Sequence, residues 1–399
     1  MRVLYSFPHK LGADRICYTA WQQVNGLAKA GADVFAYPGV LHRPVVPTVR
    51  VHPTLARGRV RLPYRLFGLM RTCALHDHLV ARQLERLAGE IDIVHAWPMG
   101  ALETLKVAKR LNIPTVLERP NTHTRFAYEV VQKECERLGV ALPADDAHAY
   151  KPDVLRKEEE EYRQAFQLLC PSDFVIKTFV DQGVPRERLT RHEYGFDEQR
   201  FFPAAARTNG NRKFTVLFAG TCAVRKGLHY ALEAWLQSPA RRSGTFVIAG
   251  DFLPQYAEKL SGMLSDPSVR VLGHRNDVPE LMRTSDVLIL PTIEEGSPLV
   301  CMEAIGSGCV PLVSDICIGA CRHMENALVH TVGDVKALTQ HITLLSENPT
   351  LLHRLRSAGL SESKNLTWDA AGSKLLEVYR ETIERYSQSE RPAVAASAN

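Results

Sequence analysis

The sequence predicts an α/β protein made of two doubly wound domains facing a central cleft. Three observations predict it. Short, continuous apolar runs alternate with helix-period stretches along the chain, the pattern of parallel strands buried on both faces by helices. The alternation breaks once, in the small and polar stretch 203–213, which reads as a linker, and then restarts. The length, 399 residues, suits two or three domains at ~150 residues each.

In the first half, strands are expected at Arg2–Ser6, Asp33–Tyr37, Asp92–Ala96, Pro114–Leu117, Leu168–Cys170 and Leu189–Tyr194. Helical stretches such as Thr19–Ala30 and Ala101–Leu111 lie between them, with Gly31 as a stop. After the linker, strands are expected at Phe214–Ala219, Thr245–Ala249, Val269–Leu272, Val287–Leu290, Val310–Val313 and Ala327–Val329. The domains are therefore drawn at 1–205 and 212–366. A last amphipathic helix, about 368–386, packs back on the first domain, and the small, polar tail 387–399 reads as disordered.

Composition narrows the function. Apolar residues make up 45% and charged residues 23%, which excludes wholesale disorder. No run approaches the ~20 apolar residues of a membrane-spanning helix. Nine unpatterned Cys read as reduced cytosolic thiols rather than a disulfide framework. A net charge of +5 is too mild to imply nucleic acid. The charge is uneven, however: between Asp33 and Asp77 there is no acidic residue, while Arg43, Arg50, Arg57, Arg59, Arg61, Arg65 and Arg71 all fall there. Arg57–Arg71 mixes these arginines with Leu, Phe, Tyr and Met. It reads as a solvated face, as an acceptor site, or as a surface that docks on an anionic membrane.

Two constellations carry chemistry. The first is Glu295-Gly296-Ser297-Pro298-Leu299-Val300-Cys301-Met302-Glu303, directly after a strand. Ser297 and Pro298 read as a capping hydroxyl followed by the first helical position. The amides of that helix start suit a phosphate, and the two carboxylates suit hydroxyls at opposite ends of a sugar nucleotide. The second is Gly220-Thr221-Cys222-Ala223-Val224-Arg225-Lys226-Gly227, where two cations beside a glycine-bearing turn suit a diphosphate. In the first half, His123 is expected at the carboxyl edge of the sheet, facing the cleft, and Gly12 in a loop that lets backbone approach a ligand. His76 and His78 read as surface residues. The Asp-x-Asp clamp of a sugar-nucleotide metal is missing, as are nucleophile-elbow and zincin motifs.

These residues resemble the family 4 retaining glycosyltransferases of GT-B architecture, with two Rossmann-like domains. Glu295 to Glu303 has the spacing of that family's E-x7-E motif, and Arg225-Lys226-Gly227 resembles its donor-diphosphate segment. Pro171–Lys177, Tyr194–Pro203 and Thr367-Trp368 resemble the family's first-domain end and closing segment. The resemblance implies transfer of a hexose-type sugar from a UDP- or GDP-sugar, with retained configuration, to a glycan, lipid-linked or small-molecule acceptor. It implies that Arg225 and Lys226 stabilise the leaving diphosphate, Glu303 binds the ribose, Glu295 the sugar hydroxyls, and His123 the sugar near the reacting carbon. It implies a front-face route. The missing Asp-x-Asp predicts that no metal cofactor is needed, the unpatterned thiols a cytoplasmic location, and the basic segment a peripheral place on the inner face of the membrane. Other GT-B chemistries, such as sugar-nucleotide epimerisation, or an inactive nucleotide-sugar-binding protein, are the alternatives.

Overall fold

A computed structural model describes residues 1–57, 60–61, 68–205 and 213–396. Arg59, Arg65 and linker residues 206–212 lie outside the described residues, as do the side chains of Arg57 and Arg61.

The first sheet comprises β1 (Arg2–Leu11), β2 (Asp33–Leu41), β3 (Arg50–Val51), β6 (Ile93–Ala96), β7 (Thr115–Glu118), β8 (Gln167–Cys170) and β9 (Leu189–Arg191), with the short hairpin β4 (Ala56–Arg57) and β5 (Val60–Arg61) beside it in the chain. Its order is β3-β2-β1-β6-β7-β8-β9, and all of its pairs are parallel. The second sheet comprises β10 (Thr215–Ala219), β11 (Thr245–Ala249), β12 (Val269–Gly273), β13 (Val287–Leu290), β14 (Val310–Ser314) and β15 (Leu328–His330). Its order is β12-β11-β10-β13-β14-β15, also all parallel. Each sheet reverses its winding once, at β1/β6 and at β10/β13, which places a ligand crevice at the carboxyl ends of those strands.

Most expected strands recur within a residue or two. β1 runs past Ser6 because Phe7 and Leu11 are fully buried and Lys10 and Leu11 still pair with β2 after an irregularity. The last helix spans Trp368–Ala396, ten residues beyond the expected end at 386, so most of the stretch expected to be disordered is helical. His76 is a correction. It is fully buried, bonded to Ser6 Oγ at 2.9 Å and Thr54 Oγ1 at 2.7 Å, and burial lowers its pKa to about 3.

The last helix returns to the first domain as expected. Leu375, Leu376 and Tyr379 join a core with Val3, Tyr5, Ala20 and Val24. A Cβ on Gly372 would stand 2.5 Å from the carbonyl carbon of Gly26, so the two helices meet backbone to backbone. A buried polar network fixes the same seam. Glu118 accepts from Gln23 at 2.9 Å and from Tyr194 at 2.8 Å, and His95 lies 3.3 Å from Glu118 and 2.5 Å from the Tyr379 hydroxyl. The chain crosses between domains twice, and the crossings lie side by side: Phe196 N donates to Leu366 O at 2.9 Å and Trp368 N to Phe196 O at 3.3 Å. Gly195 is required there, since a Cβ would fall 2.5 Å from the Thr367 carbonyl carbon.

The domains also meet along helix Thr124–Leu138. Val131, Cys135 and Leu138 belong to the core of the second domain. Glu134 accepts from His229 Nε2 at 2.9 Å and from the Tyr230 hydroxyl at 2.8 Å.

Candidate active site

The loops after β10 and β13 leave neighbouring parallel strands at the reversal point, so both expected constellations converge there. Backbone contacts fix their register. Ile293 N and the Thr292 hydroxyl both donate to the Arg225 carbonyl, at 2.9 and 2.8 Å. Gly227 closes the short 3₁₀ turn Val224–Lys226 with φ +67°, and a Cβ there would lie 1.9 Å from the Pro291 carbonyl oxygen. Only glycine fits both demands.

Arg225 and Lys226 thereby face the carboxylates of the second loop. Arg225 Nη1 donates to the Glu294 carbonyl at 2.7 Å, to Glu294 Oε2 at 3.1 Å and to Glu295 Oε2 at 3.2 Å. Lys226 Nζ donates to Glu295 Oε2. Burial works to raise the Glu295 carboxyl, but the charges of Lys226 and Arg225 outweigh it and hold it below its usual range. Glu294, fully buried, is held well below that range against the same burial by His148, Arg225 and Thr122.

Helix Leu299–Gly306 starts two residues after Ser297. Pro298 takes the cap position with no side-chain cap, so Ser297 is half-buried and does not cap, a correction to the sequence expectation. The half-buried Leu299 and Val300 open the helix, and their amides have no intrahelical acceptor. Glu303 lies one turn on. Among the described residues no hydrogen bond or ion pair engages its carboxylate, and burial pushes its pKa up to about 7. Gly220, at φ +145°, has open space on its Cβ side.

Two first-domain residues make contacts that the sequence did not show. His123 sits beyond β7, at the expected edge, but it caps helix Thr124–Leu138: its Nδ1 accepts from Arg125 N at 3.2 Å. Its ring packs edge-on against Tyr162 and Phe179, and burial lowers its pKa to about 3. It lines a cavity of about 360 Å³ with Arg125, Glu159 and Arg188, separate from the Arg225 cluster. The ring is thus turned into the first domain, where the residue is buried. Gly12, at φ +87°, makes its close approach to Arg43, whose Cβ would lie 2.7 Å from an added Cβ.

Three residues escaped the sequence reading. Glu294 Oε1 accepts from the Thr122 hydroxyl at 2.6 Å and, more weakly, from Thr122 N at 3.3 Å, while His148 Nε2 lies 3.4 Å from Glu294 Oε2. Burial works to lower the His148 pKa, but Asp146 and Glu294 raise it on balance. The doublet Glu294-Glu295 was the only signal in the sequence; its partners are 172 and 146 residues away, beyond any local pattern.

Comparison with known proteins agrees with this layout. Residues 213–348 match the family model described as "Glycosyl transferases group 1". The chain is 28% identical over 180 residues to the lipopolysaccharide glucosyltransferase WaaG of Escherichia coli K12, covering 44% of each chain. It is 25% identical over 204 residues to the N,N'-diacetylbacillosaminyl-diphospho-undecaprenol alpha-1,3-N-acetylgalactosaminyltransferase of Campylobacter jejuni, covering 48% of this chain and 53% of that one. The chain thus spans about half the length of these curated relatives. Among solved structures, Anabaena HepE in complex with UDP superposes with a TM-score of 0.66 at 15% identity, covering 96% of this chain and all of that one. The matches support a sugar transferase, and the chain is a two-domain protein of GT-B fold whose second domain, over residues 213–348, matches the group 1 glycosyl transferases.

Proposed function

We propose that the protein is a retaining glycosyltransferase of the family 4 type, moving a hexose from a nucleoside-diphosphate sugar to a glycan, lipid-linked or small-molecule hydroxyl. The observation that carries this is the convergence of Arg225, Lys226 and Glu295 at the reversal point of the second sheet, with Glu303, unpaired among the described residues, in the helix that follows. A diphosphate leaving group gains charge as the glycosidic bond breaks, and two fixed cations stabilise that charge where it develops. The ribose hydroxyls suit the open carboxylate of Glu303, and the sugar hydroxyls suit Glu295 and the backbone at Gly296–Val300. HepE was solved with UDP-glucose, and the Campylobacter relative is named for a diphospho-undecaprenol acceptor; both support a nucleotide-sugar donor and a lipid-linked glycan acceptor here. The inward ring of His123 argues for a role in shaping the first-domain loop rather than direct contact with the reacting carbon.

No described helix is long and apolar enough to cross a membrane. We place the enzyme in the cytoplasm, with the Arg57–Arg71 segment resting on an anionic membrane surface beside its acceptor. Co-sedimentation with anionic vesicles at low salt tests this, and failure to bind them would overturn it.

The catalytic reading is tested by incubating the protein with a panel of UDP- and GDP-sugars, with and without candidate acceptors. Acceptor-dependent release of nucleoside diphosphate is expected. Isomerisation of the donor without release would favour an epimerase, and binding without turnover an inactive binding protein.

A further inference from the structure

Every residue that the proposed function gives to the donor belongs to the second domain, yet the cation Arg225 is held in part from the first. Glu294 is the link. Its two carboxylate oxygens point to different partners. Oε1 accepts from the hydroxyl and amide of Thr122 at 2.6 and 3.3 Å, and Oε2 accepts from Arg225 Nη1 at 3.1 Å, with His148 Nε2 at 3.4 Å. Thr122 and His148 come from two separate first-domain loops, and Asp146 Oδ1 backs His148 at 3.5 Å. The contact is tight on the backbone side too. A Cβ on Gly296 would stand 1.7 Å from the Pro120 carbonyl oxygen, so the loops 120–122 and 294–296 lie against each other.

The guanidinium of Arg225 is used unevenly. Nη1 is held by three oxygens, the Glu294 carbonyl, Glu294 Oε2 and Glu295 Oε2. Nε and Nη2 carry no hydrogen bond among the described residues. A guanidinium presents its donors in one rigid plane, so fixing one nitrogen fixes where the others point. A buried carboxylate with this many donors is itself rigid, because each lost partner would leave charge unpaired away from water.

We infer that Glu294 is a positioning residue through which Thr122 and His148 of the first domain aim the free edge of Arg225 at the donor diphosphate. The cation is then set for phosphate only when the two domains are in contact, which couples cleft closure to the charge that receives the leaving group. This rests on the reading of Arg225 as a diphosphate contact.

Thr122→Val is the informative variant, since it removes one hydrogen bond without changing charge or touching the second domain. UDP is the probe, and binding is measured by calorimetry in a cycle of wild type, Thr122→Val, Arg225→Ala and the double variant. Thr122→Val is expected to weaken UDP binding about fivefold in the wild-type background and to have no effect once Arg225 is gone, the non-additivity of coupled sites. Thr122→Ser, which keeps the hydroxyl, is expected to restore wild-type binding. An equal loss in both backgrounds would show general loosening of the cleft and would overturn the inference, as would no loss at all. A second measurement stands apart from the nucleotide: Thr122→Val is expected to speed amide exchange in residues 292–296. If wild type binds neither UDP nor GDP, the donor reading fails and the exchange result alone decides the link. Unchanged exchange would overturn it.

Discussion

Glu295 and Glu303 lie eight residues apart and carry opposite electrostatic settings. Glu295 is paired with Lys226 and Arg225 and held below its usual range, whereas Glu303 makes no ion pair among the described residues and is pushed up to about 7, chiefly by burial. One carboxylate is charged throughout the physiological range; the other titrates within it.

The pH dependence of Glu303 follows with a definite sign. Burial favours its neutral form, so the folded protein binds this proton more tightly than the unfolded chain does. The stability it contributes is full below its ordinary value of 4.5 and is lost as the pH rises through about 7. Nucleotide binding runs the other way, because ribose hydroxyls donate to a carboxylate. UDP affinity is expected to rise roughly tenfold between about pH 6 and about pH 8. Glu303→Gln should remove that component and leave only the slope due to the phosphate of UDP itself. Calorimetry across the range checks both, and parallel curves for the two proteins would exclude Glu303 as the ribose contact.

Lys226→Ala should lower turnover far more than nucleotide affinity. Charge grows on the diphosphate as the bond breaks, so a cation placed there acts chiefly on the transition state. A loss of about 10²- to 10³-fold in turnover is expected. Steady-state kinetics beside UDP titration separate the two, and wild-type turnover would remove Lys226 from the mechanism.

Activity should survive EDTA. On the proposed reading, the cations of Arg225 and Lys226 do the neutralising that a divalent ion would otherwise do at the diphosphate. Complete loss restored by Mn²⁺ or Mg²⁺ would contradict that assignment.

Gly296→Ala should impair turnover while sparing the fold. The added Cβ would meet the Pro120 carbonyl of the other domain at 1.7 Å, so the domains must part locally, yet neither hydrophobic core is touched. The expected result is a turnover loss of at least about tenfold, typical of misplacing groups by an ångström or so, with little change in thermal midpoint. A large drop in the midpoint with turnover intact would refute this.

The fold was largely legible because its signal is local. A run such as Val287–Leu290 is apolar at every position, and the structure buries all four residues on both faces of a parallel sheet. The spacing of Glu295 and Glu303 and the Arg225-Lys226 pair were legible for the same reason. The sequence placed His123 beyond β7 but could not show how its ring packs, which depends on Tyr162 and Phe179, far along the chain. Ser297 was misjudged because Pro298, in extended conformation, starts the helix one residue late. Glu294 was invisible as a partner of Thr122 and His148, since only the approach of two domains creates that contact. Propensity speaks for segments, and a junction between domains has no segment of its own.

The paired crossings at Phe196 and Thr367 limit how the two halves can move. Their mutual hydrogen bonds, Phe196 to Leu366 and Trp368 to Phe196, tie both passes of chain into one short ribbon. Sliding one half along the other would tear that ribbon, whereas swinging about it leaves both bonds whole. A hinge of this kind admits a swing like that of a door and resists a slide like that of a drawer. Its jamb is the spot where Gly195 lets the backbones touch, and its latch is the meeting of Thr122 with Glu294.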